Sequence, residues 1–423
     1  MAQLTDDCFA FSGPLMRLDE MERLIDERIE PVAEVERVAL ADARGRVIAK
    51  DVIAPVNLPP FDNSAVDGYA VRHADIAKDG ETRLTISGRL QAGAAVDDAV
   101  ARGEAIRIFT GAPMPQGADT VFMQEDVRAE GDIVIVPPGL KFGANRRLAG
   151  EDVAKGSVVL APGTVLEPQH VALAAALGFT ALDVRRRLKI AIFSTGDEVV
   201  EPGRPLASAA IYDANRYLLR DLLARLGAEV TDLGILKDDP EPLAAALRHA
   251  ADGHDLIVTS GGVSTGEADY VRDAVERAGS LVFWRVAIKP GRPVALGVIR
   301  GQGGESAAFV GLPGNPVAVF VTFVRVVKPL LARLSGASAR KLTPLPVRAG
   351  FSYKKKKDRR EYVRVSLRPA ADGELEAVKH PQDGAGVITS LTQTDGLLEL
   401  PEEVTRIEPG DRVGFLAYPV LMG

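Results

Sequence analysis

Residues 255–270, which read DLIVTSGGVSTGEADY, combine glycines, hydroxyls and carboxylates in a spacing that can hold a phosphate group. Residues 256–258 have the β-branched character of a buried strand, and apolar residues return at helical spacing from Tyr270 onward. A strand, a glycine-rich loop and a helix start in this order surround an anion with backbone N–H groups and a helix dipole. Glu267 and Asp269 would add the oxygen ligands that a divalent cation prefers. The alternative is a tight turn with acidic helix-capping residues.

Two common phosphate-binding motifs do not account for this stretch. It lacks the dinucleotide fingerprint G-x-G-x-x-G, and no Gly-Lys-Ser/Thr follows its glycines as in a P-loop. The chemistry predicted from its residue types is therefore a phosphate cradle beside a metal ion, outside both of these nucleotide-binding families.

Composition excludes several classes of protein. The chain has 51 Lys and Arg against 58 Asp and Glu, and this net charge of −7 argues against a general nucleic-acid binder. Its single cysteine, Cys8, excludes an internal disulfide and a cysteine-rich metal site, and its five histidines are scattered. The sequence shows no signal pattern and no apolar run that spans a bilayer, so we expect a soluble, cytoplasmic protein without a membrane partner.

The elements that must position the glycine-rich stretch alternate between strand and helix from residue 188 onward. This alternation predicts a doubly wound, mostly parallel sheet, in which ligands bind outside the carboxyl ends of the strands. Four loops leave such ends: STGDE, the Asp238 loop, SGGVSTGEAD and GLPGNP. Independent turns would not concentrate acid and glycine at one edge, so we favour a functional interpretation. The carboxylates at this edge are those of Asp197, Glu198, Asp238 and Asp269.

The rest of the chain divides into regions of different pattern. Helical periodicity near the N-terminus predicts two helices, at 16–29 and 34–48. Short strands separated by glycine predict a small β-rich domain, and alternating strands near the C-terminus predict a β-barrel. The four lysines at 354–357 are expected to form a solvated hairpin tip. The predicted divisions are an N-terminal and linking region at 1–50 and 152–186, the small β domain at 51–151, the α/β domain at 187–337 and the barrel at 338–423.

Nine motifs follow one another between residues 59 and 316: PPFDNSAVDGYAV, TGAPMPQGAD, RRLAGEDV, FSTGDEV, YDANR, LGILKDDP, TSGGVSTGEADY, AIKPGRP and GLPGNPV. In this order they resemble the motifs of the molybdopterin molybdenumtransferases, a family that includes the E domain of gephyrin. SGGVS alone is shared with enzymes that adenylylate molybdopterin, whereas its combination with DNSAVDGYA and a C-terminal barrel is specific to the transferases. With weaker terminal segments, the resemblance covers essentially the whole chain.

The resemblance implies a reaction and an assembly. In this family, adenylylated molybdopterin and molybdate bind, the pyrophosphate bond is hydrolysed with Mg²⁺, molybdenum enters the dithiolene, and AMP leaves. The family is an elongated homodimer whose cleft combines the α/β domain of one subunit with the small β domain of the other. The implied partners are the molybdopterin adenylyltransferase and the molybdoenzymes, or their chaperones, that receive the cofactor.

The resemblance also assigns residues, motif by motif. One wall of the cleft would carry Asp67, Thr110 and Asp152, and the other would carry Glu198, Asp238, Asp269 and Lys289. The candidate catalytic residues are Asp67, Glu198, Asp238 and Asp269, and the candidate Mg²⁺ ligands are Asp238 and Asp269. The candidate substrate-binding residues are Thr110, Asp152, Ser260, Gly261, Gly262, Ser264, Lys289, Pro313, Gly314, Asn315, Arg359 and Ser390, of which Arg359 and Ser390 match positions on the molybdate side.

The chain departs from the family pattern at three positions, and two other functions stay open. Ala318 stands where the family commonly has serine, which removes a hydroxyl near the oxyanion; Asp358 replaces a glycine and Arg285 a lysine. A dimeric scaffold of the gephyrin E type is one alternative, although the sequence shows no adjoining adenylyltransferase domain or long linker. A tungstate-inserting relative is the other, because both oxyanions are tetrahedral dianions of similar size.

Overall fold

The structure, a computed structural model, describes residues 4, 8–9, 15–94, 99–261, 270–291, 293–338 and 341–423. A six-stranded sheet forms the centre of the α/β domain. Its strand order is Glu229–Leu236, Lys189–Thr195, Leu256–Ser260, Ser306–Leu312, Pro293–Arg300 and Gly279–Arg285. The first four strands run parallel, and Pro293–Arg300 runs antiparallel to both of its neighbours. The prediction of a doubly wound, mostly parallel sheet is confirmed.

Helices cover both faces of this sheet, so its central strands are mainly apolar and are buried along nearly their whole length. Asn215–Arg225 lies on one face together with a long helix that runs through Pro316–Thr322, Phe323–Val327 and Lys328–Ser335. Pro240–Ala251 and Tyr270–Ala278 lie on the other face. None of the helices in the described ranges is both long and apolar enough to cross a membrane.

The N-terminal region confirms one predicted helix and contradicts the other. Leu18–Arg28 is helical and buries Leu18, Met21, Leu24 and Ile25 against the α/β core. The helix predicted at 34–48 is wrong. Val35–Ala39 is a strand that pairs antiparallel with Ala181–Arg185, and a short 3-10 turn and the strand Val47–Ile48 follow it. Arg37 pairs with Asp183, for example, and these residues are 146 positions apart in sequence. Local periodicity cannot reveal a strand whose partner is so distant.

The small β domain contains a six-stranded sheet between two apolar clusters. The strand order is Thr120–Met123, Gly68–Val71, Glu104–Ile108, Thr82–Leu90, Ile133–Val136 and Arg128–Glu130. Two short ladders flank it, Asn63–Ser64 with Arg146–Arg147 and Val52–Ile53 with Val158–Leu160. The helix Pro168–Ala176 then leads back toward the N-terminal region.

Five strands near the C-terminus close on themselves and form the predicted β-barrel. Their order is Arg360–Pro369, Leu375–Lys379, Leu345–Ala349, Arg412–Ala417 and Gly396–Leu400, and the last strand pairs with the first. The short strand Ile288–Lys289 of the α/β domain pairs parallel with Arg360–Pro369, so a backbone ladder joins the barrel to the α/β domain. Smaller elements complete this region: Tyr353–Lys354 paired with Arg406–Ile407, and the helices Thr389–Thr392 and Tyr418–Met422.

The prediction of a solvated lysine tip is wrong for one of its four residues. Lys355 is buried, and its ammonium donates to the carbonyl oxygens of Lys356, Arg359 and Glu402. Burial lowers the pKa of this ammonium. Lys355 therefore ties the turn to the barrel, and only its neighbours in the run are exposed.

Candidate active site

Four parallel strands of the central sheet end at one edge, and their loops meet there. The register pairs Thr195 with Leu236, and Ser260 with both Ser194 and Leu312. The Gly261 N–H donates to the Leu312 carbonyl at 3.0 Å, which joins the glycine-rich loop to the GLPGNP loop. The strand order changes direction between Lys189–Thr195 and Leu256–Ser260, and such a switch point opens a crevice for ligands.

Asp238 is the best-defined carboxylate at this edge. It is half-buried, and the Thr195 hydroxyl from the neighbouring strand donates to its Oδ1. The adjacent Asp239 has a separate task, because its side chain caps the helix Pro240–Ala251 by accepting from the Glu241 N–H at 3.3 Å. Glu198 lies exposed on the STGDE loop. The two neighbouring aspartates can therefore be distinguished by mutation.

Within the described ranges no three His, Cys, Asp or Glu side chains converge on a possible metal ion. Glu267 and Asp269, together with Gly262 and Ser264, lie outside the described residues. The carboxylate oxygens of Asp238 and Glu198 are hard donors of the kind that suits Mg²⁺ rather than a soft metal. The chemistry of these donors is thus compatible with a hard divalent cation.

The GLPGNP loop is held by Asn215, a residue of the YDANR motif for which the family resemblance implied no role. Asn215, from YDANR, donates through Nδ2 to the Gly314 carbonyl at 2.7 Å. Its Oδ1 is shielded from solvent and has no hydrogen-bond partner among the described residues. The bond from Nδ2 therefore holds the GLPGNP loop at Gly314. The YDANR motif could have indicated this asparagine from the sequence.

The barrel contacts the first turn of the long helix that begins at Pro316. The Val317 N–H donates to the Ala385 carbonyl at 3.0 Å, and a Cβ added at Gly386 would lie 3.4 Å from Asn315 Oδ1. Pro316 has no N–H to offer. Most of the anion-binding capacity of this helix start is therefore used within the protein.

A buried arginine lies beside this turn, and sequence reasoning missed it. Arg364 is 6% exposed; its Nε donates to Ser390 Oγ at 3.0 Å and its Nη2 to the carbonyls of Gln382 and Gly384. No Asp or Glu of the described part of the chain forms an ion pair with it, and burial lowers the pKa of its guanidinium. Ser390 is fully buried and donates in turn to the Val387 carbonyl at 2.6 Å. A buried charge of this kind normally has an anionic partner.

Lys289 and Arg359 meet at a second buried residue that was not predicted, Glu361. The Lys289 ammonium lies 3.2 Å from Glu361 Oε2, and Arg359 Nε lies 2.7 Å from Oε1. The Tyr353 hydroxyl donates to Oε2 at 2.9 Å. Burial and this carboxylate raise the pKa of Tyr353, so the phenol stays protonated. No local pattern in the sequence indicated Glu361. It meets Lys289 because the strand with the letters AIK pairs with the strand with the letters RRE, and this pairing joins two domains.

The small β domain carries the other predicted wall. Asp67 Oδ1 accepts from the Thr110 N–H at 2.8 Å and from its hydroxyl at 2.7 Å, and these bonds hold the pKa of Asp67 below its usual range. A Cβ on the next residue, Gly68, would lie 1.8 Å from the Phe122 carbonyl oxygen, so only glycine fits there. Asp152 is exposed on a neighbouring loop.

Among the described residues, no hydrogen bond joins the two predicted walls of one chain. None of the hydrogen bonds made by the described side chains of Asp67, Thr110 and Glu198 joins the small β domain to the sheet edge. The structure therefore brings Asp238 to the edge loops and Lys289 to Arg359, and it leaves Asp67 with Thr110 as a separate group.

Three family models match the chain in sequence order. They are the MoeA N-terminal region (domain I and II) at residues 16–178, a probable molybdopterin binding domain at residues 191–333, and the MoeA C-terminal region (domain IV) at residues 346–418.

Relatives and solved structures of similar length agree with these matches. A molybdopterin molybdenumtransferase of Haemophilus influenzae is 38% identical over 97% of this chain and all of its own length. Another from Nostoc is 35% identical, covering 93% of this chain and 91% of its own. The crystal structure of a molybdopterin biosynthesis moeA protein from Pyrococcus horikoshii has a TM-score of 0.80 and 30% identity, over 96% of this chain and 100% of that one.

Proposed function

Because the chain belongs to the molybdopterin molybdenumtransferase family, whose members are transferases, we propose that it inserts molybdenum from molybdate into adenylylated molybdopterin and releases AMP. The observation that carries this proposal is the juxtaposition of two unlike sites. A carboxylate and glycine-loop edge suits a metal-bound pyrophosphate, and a buried guanidinium without a carboxylate partner among the described residues suits an oxyanion.

The sheet edge would bind the nucleotide side of the substrate. Thr195 holds the Asp238 carboxylate in one orientation, and Asn215 fixes the GLPGNP loop through its bond to the Gly314 carbonyl. Bound at Asp238 and Asp269, Mg²⁺ would neutralise charge on the pyrophosphate oxygens. Glu198, which is exposed on the STGDE loop, would orient the attacking water.

The oxyanion would lie between the barrel and the first turn of the long helix. Lys289, Arg359 and Arg364 would supply positive charge to a dianion, and Glu361 neutralises part of it. The helix start has few free N–H groups left, since Val317 donates to Ala385. Side-chain charge must therefore offset most of the cost of desolvating the oxyanion.

Comparison of the two oxyanions tests the proposal and its closest alternative. Purified protein would be given adenylylated molybdopterin and Mg²⁺ with either molybdate or tungstate, and the metal bound to the pterin product would be measured. We expect product with molybdate. Product with tungstate alone would identify a tungsten-inserting relative, and no product with either oxyanion would contradict the proposal.

Arg359→Ala is expected to raise the half-saturating molybdate concentration about tenfold. One charge-assisted contact is worth roughly 1.5–3 kcal/mol, and the lower end applies here because Arg359 already shares its Nε and Nη2 with Glu361. Ala318→Ser should have a smaller effect on the half-saturating molybdate concentration, because a neutral hydrogen bond contributes only about 0.5–1.5 kcal/mol to binding. Molybdate titration of both variants makes the measurement, and half-saturation equal to wild type in Arg359→Ala would place the oxyanion elsewhere.

We further propose a homodimer whose cleft joins the sheet edge of one subunit to the Asp67 wall of the other. Asp67→Ala and Asp269→Ala proteins should each be nearly inactive, and mixed heterodimers should regain activity because one of their two clefts is intact. The measurement is product formation after subunit exchange, with exchange followed independently by differently tagged chains. Exchanged but inactive heterodimers would indicate a cleft built within one chain.

A further inference from the structure

Glu361 is a carboxylate at the boundary of two domains, and no assigned role accounts for it. It is 1% exposed, and its strand position pairs directly with Lys289 of the α/β domain. We infer that Glu361 is a positioning residue that holds the Lys289 ammonium toward the oxyanion. This inference rests on the proposed function, because it names what orders one of the cations of that site.

The hydrogen bonds around Glu361 occupy both of its oxygens. Oε2 accepts from Lys289 Nζ and from the Tyr353 hydroxyl, at 3.2 and 2.9 Å. Oε1 accepts from Arg359 Nε at 2.7 Å and lies 2.6 Å from its Nη2. A buried carboxylate is tolerated when charged donors surround it in this way. Glu361 is thus the common acceptor of three side chains, two of which are cations.

Lys289 depends on this carboxylate for its orientation. Its side chain is 46% exposed, and a lysine at such a position ordinarily extends its ammonium into water. The ladder between Ile288–Lys289 and Arg360–Pro369 fixes only its backbone. Glu361 and Tyr353 are the side chains that the ammonium contacts among the described residues. Without Glu361, the ordering of a flexible side chain would have to accompany oxyanion binding.

Removal of Glu361 has two opposed effects on a bound anion. Loss of its negative charge makes the site more positive and favours the oxyanion, whereas loss of its hydrogen bonds releases Lys289 and disfavours it. The charge effect acts near a half-exposed ammonium, where water screens it. We therefore expect the loss of order to exceed the gain in charge.

The test is a molybdate titration of Glu361→Gln, which keeps the shape of the side chain. Half-saturating molybdate should rise about tenfold, with the affinity for adenylylated molybdopterin unchanged. Glu361→Asp, which keeps the charge, should recover part of this loss and also serves if the glutamine variant fails to fold. Glu402→Gln is the matched control, since Glu402 is equally buried and its carboxylate pairs with Arg360 instead of Lys289. That variant should lose thermal stability and keep the half-saturation of wild type.

A double-mutant cycle separates positioning from a structural role. In a Lys289→Met background, Glu361→Gln should cause a clearly smaller further rise in half-saturating molybdate than it does in wild type, because only its contact with Arg359 is left to lose. An additive effect there, or a Glu361→Gln protein that binds molybdate as well as or better than wild type, would overturn the inference. A wild-type protein that forms no product would instead contradict the proposed function.

Discussion

Asp238→Asn is expected to slow AMP release by about two to three orders of magnitude while the fold stays intact. Its carboxylate is fixed at the sheet edge by the Thr195 hydroxyl, and an amide can still accept that hydrogen bond. An amide cannot supply the negative oxygen that a divalent cation requires, so the loss falls on the metal-assisted step. This reduction corresponds to about 2.7–4 kcal/mol in the activation barrier. The measurement is the initial rate of AMP release at saturating Mg²⁺.

The neighbouring aspartate provides a matched control. Asp239→Asn changes the same chemical group one position away, but Asp239 caps the helix Pro240–Ala251, and asparagine caps a helix equally well. Its rate should stay close to that of wild type. Asp269→Asn, from the sequence comparison, should resemble Asp238→Asn. An Asp238→Asn protein as fast as Asp239→Asn would remove Asp238 from the mechanism.

Arg364→Lys is expected to raise half-saturating molybdate about ten- to a hundredfold. A lysine keeps the charge, but it cannot donate to Ser390 and to the loop carbonyls of Gln382 and Gly384 while it also faces an anion. The expected loss is that of one charge-assisted contact, roughly 1.5–3 kcal/mol. The effect should appear in molybdate titration and leave binding of the adenylylated pterin unchanged.

An arginine further along the same strand controls for this substitution. Arg368 is exposed and pairs with Glu376 on the neighbouring strand, so Arg368→Lys should change neither half-saturation nor stability measurably. Thermal unfolding of both variants shows whether Arg364→Lys also loosens the loop that it holds. Unchanged molybdate dependence in a folded Arg364→Lys protein would mean that this guanidinium serves the barrel alone.

The sequence predicted the sheet edge because local patterns carry that information. The alternation of strand and helix predicted from residue 188 onward is found, and the strand predicted before the glycine-rich loop is Leu256–Ser260. Because neighbouring parallel strands end at the same edge of the sheet, the loops that follow them lie side by side, and Asp238 contacts Thr195 there. This inference needs no information about contacts between distant residues. The fold class and the edge proposed to bind the metal follow from such short-range signals.

The residues proposed to surround the oxyanion could not all be predicted from the sequence, because they are brought together by contacts between distant parts of the chain. Lys289 and Glu361 meet only because a two-residue strand of the α/β domain pairs with a barrel strand 72 residues later. Arg364 differs in burial from Arg368 of the same strand, and the short helix that carries Ser390 contacts its guanidinium. The strand Val35–Ala39 was mistaken for helix for the same reason, since its partner is Ala181–Arg185. Periodicity alone does not contain these pairings.

The most direct test of the proposed transferase activity is a single turnover with enzyme in excess over adenylylated molybdopterin. AMP released and molybdenum bound to the pterin would be counted in the same samples, with and without molybdate. The proposed reaction predicts one molybdenum incorporated for each AMP released when molybdate and Mg²⁺ are present. AMP release without incorporation of molybdenum, or tight binding of the substrate with no AMP released, would contradict it.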